Sequence, residues 1–309
     1  MNNIININNV KKTYKMQFPF KRIDAVNGIS FNVDENEVFG LLGPNGAGKS
    51  TTLKMLMGVI KPNSGNIEIL SGSIIDRNIR KKIGFLPENP SFYQFLTAYE
   101  TLDFIAGLFN VPKELKQDRI KTLIGLVGLS EAMHNPVGSF SKGMVQRLGM
   151  AQALINDPEI LVLDEPMSGL DPIGRKEMKD IILMMKRRGK TLVFSSHILP
   201  DIEMLADKVC VINKGTVVGI GYIHDIIKSE LKEFDIEILT NDTINKMLEK
   251  YKDECKYFSI HENKIFITIT DHIKAEEIVN LVRDNDGKVL SFIPRENKLE
   301  DYFMNLMKD

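Results

Sequence analysis

The most apolar runs in this 309-residue chain, such as EILVLD at 159–164, are strand-sized and fall well short of the roughly 20 residues needed to span a bilayer. The chain itself is not expected to cross a membrane. Its first residues, MNNIININNV, have neither the cationic start nor the apolar run of about 7–15 residues of a secretory signal, so export by that route is not expected. Cysteine is scarce. Cys210 and Cys255 lack CxxC spacing, which argues against a disulfide or zinc framework and suits free, buried thiols in a reducing compartment. A strong charge balance is also missing: 40 Lys+Arg and 41 Asp+Glu nearly cancel, without the basic excess of proteins that coat DNA or RNA. No nucleic acid partner is expected. There are no internal repeats, low-complexity segments or sustained heptads.

With 43% apolar residues, a chain of this length can bury one large core and a second, smaller one. VFGLLG (38–43), NIEIL (66–70), ILVL (160–163) and TLVFSS (191–196) read as short strands separated by helical spacing, which predicts an α/β layer structure around a largely parallel sheet. Thr97 and Glu100 form a capping-box pattern ahead of Leu102, Ile105, Ala106 and Phe109, so about 97–140 reads as a helical insert. Near residue 221 the texture changes. Residues 221–309 carry 13 Lys+Arg against 19 Asp+Glu, and 1–220 carry 27 against 22, which predicts a domain boundary. In the tail, Phe234, Ile236 and Ile238 alternate, Ile244, Met247, Leu248 and Tyr251 share a stripe, and Ile265, Ile267 and Ile269 alternate again. A helix with Ile278, Leu281 and Val282 then closes at Gly287, read as its C-cap, before the strand VLSFI and a last helix with Leu299, Tyr302, Phe303 and Leu306. The order β-α-β-β-α-β predicts a small α+β, ferredoxin-like domain.

GPNGAGKS, Gly43 to Ser50, follows the strand VFGLL and precedes the helical TTLKMLMGV, the context that a phosphate-binding P-loop requires. Backbone N–H groups of Gly43, Asn45, Gly46, Ala47, Gly48 and Thr51 and the helix N-terminus suit phosphate, Lys49 reaches the β/γ-phosphates, and Ser50 can ligate Mg²⁺. ILVLDEP ends an apolar strand in two carboxylates, which suits Asp164 to hold Mg²⁺ and Glu165 to activate a water.

Over about residues 3–220 these motifs resemble the ATP-binding cassette (ABC) ATPases, and among them the nucleotide-binding subunits of membrane transporters. In that light Phe140-Ser141-Lys142-Gly143-Met144, within SFSKGMVQR, stands where the family keeps its LSGGQ signature. The resemblance implies that Ser141 and Gly143 close over the γ-phosphate held by a second subunit's P-loop. It also implies that Tyr14 stacks on adenine, that Ser168-Gly169-Leu170-Asp171 crosses a dimer interface with Asp171, and that His197 contacts the γ-phosphate and Glu165. Glu88 falls where most members have a glutamine ligand to Mg²⁺ and water, and a hard cation accepts a carboxylate there too. Phe140, Lys142 and Met144 replace Leu, Gly and Gln of the signature.

These departures are similar to the ATPase subunits of drug, bacteriocin or lantibiotic exporters, the ABC-2 type. The fold expected is a P-loop NTPase of ABC type over 1–220, with a helical subdomain at about 89–150, and a small α+β domain over 221–309. The activity expected is hydrolysis of ATP with Mg²⁺ to power export, by a dimer bound to a separate membrane permease at the cytoplasmic face of the membrane. An importer ATPase with a solute-sensing tail and a soluble ABC regulator stay open as alternatives. A GTPase is disfavoured, since NKGT at 213–216 lacks the Asp of a guanine-reading NKxD.

Overall fold

The structure, a computed structural model, describes residues 3–16, 21–228, 233–239 and 242–295. The chain forms two compact units, Met1–Ile223 and His224–Asp309. The first runs through β1 (Asn3–Met16), β2 (Lys21–Asp34), β3 (Val38–Leu42), α1 (Lys49–Leu56), β4 (Ser64–Ile69), α2 (Arg77–Arg80) and β5 (Ile83–Leu86). Three helices follow, α3 (Ala98–Leu108), α4 (Lys113–Leu126) and α5 (Lys142–Leu154). The chain then returns through β6 (Ile160–Leu163), α6 (Pro172–Arg187), β7 (Thr191–Ser196), α7 (Leu199–Leu205), β8 (Lys208–Asn213) and β9 (Thr216–Tyr222).

A six-stranded sheet in the order β5-β6-β7-β3-β8-β9 is parallel except for the edge strand β9. Every residue of β3, β6 and β7 is buried. That is why β3 and β6 are continuous apolar runs and β7 is apolar through Leu192–Phe194: a strand covered on both faces has no solvent side to show. The NIEIL run does not belong to this sheet. It lies on β4, which pairs with β1 in a separate antiparallel sheet of order β2-β1-β4, and only Ile69 of β4 is buried. The long β1 carries a period-two signal that the Asn-rich start obscures, with Ile5, Ile7 and Val10 inward and Asn6 and Asn8 exposed.

One apolar core joins the two sheets through α1. Ile5, Ile7, Ile29 and Val33 of the antiparallel sheet and Leu53, Met55 and Leu56 of α1 cluster with Leu41, Ile160 and Val193 of the parallel sheet. Phe31 stacks on Phe39 at 4.9 Å between ring centroids, fastening β2 to β3. Burying each such side chain stabilises the fold by about 1.5–3 kcal/mol. The helical insert starts as its sequence requires. The Glu100 N–H donates to Thr97 Oγ1 at 3.1 Å and the Thr97 N–H to Glu100 Oε2 at 2.8 Å. Leu102 and Ala106 turn inward, while Phe104 and Leu108 stay exposed on the other side of α3.

The second unit follows α8 (Ile223–Lys228) with β10 (Glu233–Leu239), α9 (Asp242–Leu248), β11 (Tyr257–His261), β12 (Lys264–Ile269), α10 (His272–Asp284) and β13 (Lys288–Arg295). Its four strands form an antiparallel sheet of order β11-β12-β10-β13, the ferredoxin-like arrangement. Phe234, Ile236 and Ile238 of β10 and Ile265, Ile267 and Ile269 of β12 pack with Ile244, Leu248, Ile278 and Val282. Gly287 is not the left-handed cap of α10. Asn285 is the C-cap and Asp286 takes the positive φ of 56°. Gly287 is needed for closeness: a Cβ there would stand 2.5 Å from Ile244 Cδ1 and 2.6 Å from Val282 Cγ1. The expected terminal helix at Leu299, Tyr302, Phe303 and Leu306 lies outside the described residues. Both cysteines are free. Cys210 is buried, which pushes its thiol up to about 12, whereas Cys255 is only half-buried. No helix among the described residues is long and apolar enough to cross a membrane.

Candidate functional site

The site is assembled at the carboxyl ends of three adjacent strands, β6, β7 and β3, where open α/β sheets present ligand crevices. From β3 the chain enters the loop Gly43–Gly48 and turns into α1. Gly48, with φ 108°, is the N-cap, and a Cβ at that position would collide with the Ala25 carbonyl, so the turn requires glycine. The α1 N-terminus has no side-chain cap. Its first N–H groups, at the positive end of the helix dipole, are suited to an anion.

Lys49, only 5% exposed, donates from Nζ to the Gly43 carbonyl at 2.7 Å and the Pro44 carbonyl at 3.2 Å. It also pairs with Glu165 Oε1 at 3.3 Å. Ser50 Oγ donates to Asp164 Oδ1 at 2.9 Å, and Ser195 Oγ donates to the same oxygen at 2.8 Å. The Glu165 N–H in turn donates to Ser195 Oγ at 2.8 Å. Ser195 thus ties the end of β7 to both carboxylate residues that follow β6. Glu165 has φ 47°, a left-handed conformation that a non-glycine residue adopts only when its surroundings hold it there. Its Oε2 lies 2.9 Å from His197 Nδ1, just past β7.

A cavity of about 500 Å³ is lined by Asn45, Gly46, Ala47, Gly48, Lys49, Ser50, Thr51, Glu88, Glu165 and His197, together with Ala25 and Ser168. Glu88 reaches it from the loop after β5. Asp164, hydrogen-bonded to Ser50, and Gly43, at the start of the loop, are not themselves among the lining residues. Four expected positions are elsewhere. Tyr14 stands on β1, 37% exposed, with Lys12 Nζ 5.5 Å from its ring centre. Ser141 caps α5, its Oγ accepting the Met144 N–H at 3.3 Å, and Gly143 follows in that helix's first turn. Asp171 caps α6, accepting the Gly174 N–H at 2.9 Å. Within one chain these four do not line the cavity. Ala25 and Ser195 were not picked out by sequence, and Ser168 was expected only as part of the Ser168–Asp171 stretch at a dimer interface, not as lining the cavity; the only hint for Ser195 was the serine pair before His197, and the backbone of Ala25 left none.

The chemistry available is phosphate recognition by backbone N–H groups and Lys49, with a carboxylate and an imidazole in contact beside them. A family model described as ABC transporter matches residues 26–168. The chain is 37% identical over 311 residues to the bacitracin transport ATP-binding protein of Bacillus licheniformis, covering 99% of this chain and 98% of that one. It is 35% identical over 286 residues to a Nod factor export ATP-binding protein of Burkholderia lata, covering 91% of each. Among solved structures, a dimeric ATP-binding cassette in a post-hydrolysis state with ADP and Pi superposes with a TM-score of 0.64 at 25% identity, over 71% of this chain and 98% of that one. With a P-loop cradle facing a Glu165–His197 pair, and relatives matched along nearly the whole chain, this protein belongs to the ABC transporter family as an ATP-hydrolysing, ATP-binding subunit.

Proposed function

We propose that this subunit works as a dimer around two ATP molecules and powers export through a separate membrane permease at the cytoplasmic face of the membrane. The observation that carries the catalytic part is the triangle of Lys49, Glu165 and His197 around one cavity. Glu165, fixed in backbone and 2.9 Å from His197 Nδ1, is placed to take a proton from a water attacking the γ-phosphoryl group. Lys49 would exchange its bonds to the Gly43 and Pro44 carbonyls for phosphate oxygens, and His197 would face the charge that develops there.

Asp164 supports a magnesium site. It is 1% exposed and is held by two neutral hydroxyl donors, with no Lys, Arg or His nitrogen paired to it among the described residues. A buried carboxylate so placed gains from a cation. Among the described residues, no group of three or more His, Cys, Asp or Glu side chains could hold a metal alone. That fits Mg²⁺, which takes one or two protein oxygens and completes its shell from phosphates and water. Ser50 and Asp164 would hold it, with Glu88 from the loop after β5, and it would offset negative charge on the phosphates.

Ser141 and Gly143, outside this chain's own cavity, are assigned to a second subunit's nucleotide, with Tyr14 on adenine and Asp171 at the dimer interface. Export is supported by the relatives named for bacitracin transport and Nod factor export. Docking of the permease is assigned to the helical insert near Glu88, where Tyr93, Phe95, Phe104 and Leu108 are each at least half exposed. Tyr93 packs at 5.6 Å from Phe95 and 6.3 Å from Phe104, a contiguous aromatic patch. The test is to copurify and identify an untagged membrane partner, then to measure transport in inverted vesicles. ATP-dependent uptake into the lumen supports export, and loss of cargo from the lumen would refute it.

A further inference from the structure

Lys142 stands where the family signature has glycine, and its position suggests a task within its own chain. It is the first residue of α5, exposed, with no hydrogen bond or ion pair among the described residues. The far end of its side chain lies across Gly169: a Cβ at position 169 would stand 2.3 Å from Lys142 Nζ, 2.7 Å from Cε and 3.1 Å from Cδ, and Gly169 holds φ 69°. One turn further along α5, the buried Gln146 donates from Nε2 to the Pro166 carbonyl at 3.2 Å. Between these two anchors, Gly143 packs toward Leu170. The first turns of α5 therefore grip both ends of the 166–170 loop. That loop starts directly after Glu165, and its Ser168 both lines the cavity and donates its N–H to the Glu165 carbonyl at 2.9 Å.

We propose that Lys142 is a positioning residue for hydrolysis: its methylene stem, laid over Gly169, braces the 166–170 loop against α5 and so keeps Ser168 and Glu165 in place. Packing of the side chain does this and not an ion pair. A cation at a helix N-terminus gains nothing from the helix dipole, and no acid is paired with it among the described residues. A long side chain that covers a bare backbone is held by packing along its methylenes. Gly169 is then the complementary half of the brace, small because Lys142 lies over it. The inference rests on the role assigned to Glu165 above.

The test uses the full chain carrying Lys142→Ala, Lys142→Met, Lys142→Arg and Gly169→Ala, each checked for a parental melting profile. Lys142→Ala should lower kcat about tenfold with KM for ATP within about twofold, as expected when a catalytic group is misplaced and binding is spared. Lys142→Met, which keeps the stem, should recover most of the loss. Gly169→Ala should also lose turnover, and adding Lys142→Ala to it should change little further, because both act on one interaction. Amide hydrogen exchange across 166–170, measured without nucleotide, should speed up in Lys142→Ala. Parental turnover in Lys142→Ala, unchanged exchange, or recovery by Arg but not Met would each overturn the brace. The exchange measurement does not depend on how water is activated: an active Glu165→Gln with faster loop exchange in Lys142→Ala would refute the role of Glu165 and leave the brace standing.

Discussion

His197 Nδ1 lies 2.9 Å from Glu165 Oε2, and the two residues follow different strands, 32 positions apart in the chain. Their pairing places an acceptor of protons next to a group able to orient it. Glu165→Gln preserves size and most hydrogen bonding but removes the base, so turnover should fall by about 10²–10⁴-fold. ATP affinity should stay near parental in an equilibrium binding assay, and an ATP-bound dimer should accumulate. Near-parental steady-state turnover would refute the assignment.

The separation of Ser141 and Gly143 from their own chain's cavity predicts shared sites. Lys49→Ala removes the phosphate cation and Ser141→Arg places bulk at the cap of α5, so each mutant homodimer should lose both sites. In a heterodimer isolated with two tags, one site combines both defects and the other is intact. It should occlude about one nucleotide per dimer by that geometry. No occlusion in a folded heterodimer would show that Ser141 does not serve the partner's nucleotide.

Removing the Ser50 hydroxyl leaves Asp164 with one donor, Ser195 Oγ, and takes away one metal oxygen. Ser50→Ala should raise the Mg²⁺ concentration for half-maximal ATPase by about tenfold, the scale of removing a single charge-assisted interaction. An unchanged Mg²⁺ titration would exclude Ser50 as a ligand.

Glu37 offers a pH test of stability. Burial pushes its carboxyl above the ordinary value of 4.5, against the opposing pull of the Asp34 N–H and Lys208. The folded state therefore binds the proton more tightly than the unfolded one, and stability falls as pH rises from 4.5 through the folded value. Glu37→Gln keeps the acceptor for Asp34 and carries no such penalty. It should melt higher than the parent at about pH 7.5, and the two melting curves should converge near the ordinary value of about 4.5 and below. A constant offset across that range would contradict the sign.

At the insert, Phe95 is 76% exposed and sits within the aromatic patch. Phe95→Asp should leave the melting temperature within a few degrees, the usual outcome for a surface change, yet strongly reduce copurification of the permease. Full recovery of the permease with the variant would move the docking surface elsewhere.

Local features of this protein were legible because their causes are local. A glycine-rich turn between strand and helix can be read over eight residues, since it is set by backbone freedom at Gly46 and Gly48 and by the exposed N-terminus of α1. The Thr97–Glu100 box and the ILVL and TLVFSS strands reflect capping and two-sided burial, each complete within a few positions. Gly287 shows the limit: a glycine after a helix looks like a cap, and only the nearness of Ile244 reveals that it is bare for lack of space.

Resemblance supplied roles for Tyr14, Ser141, Gly143, Asp171 and His197 that no local rule yields, because each looks ordinary in its own segment. Lys142 was legible only as a departure. The sequence by itself determined the phosphate loop, the buried strands and the α/β and α+β patterns of its two parts. Tertiary structure alone decided that β6, β7 and β3 lie side by side. That order joins Asp164, Ser195, His197 and Lys49 in one network and lays Lys142 over Gly169. Strand order is settled by how whole layers pack, through interactions between residues far apart in the chain, and periodicity within a segment carries no record of it.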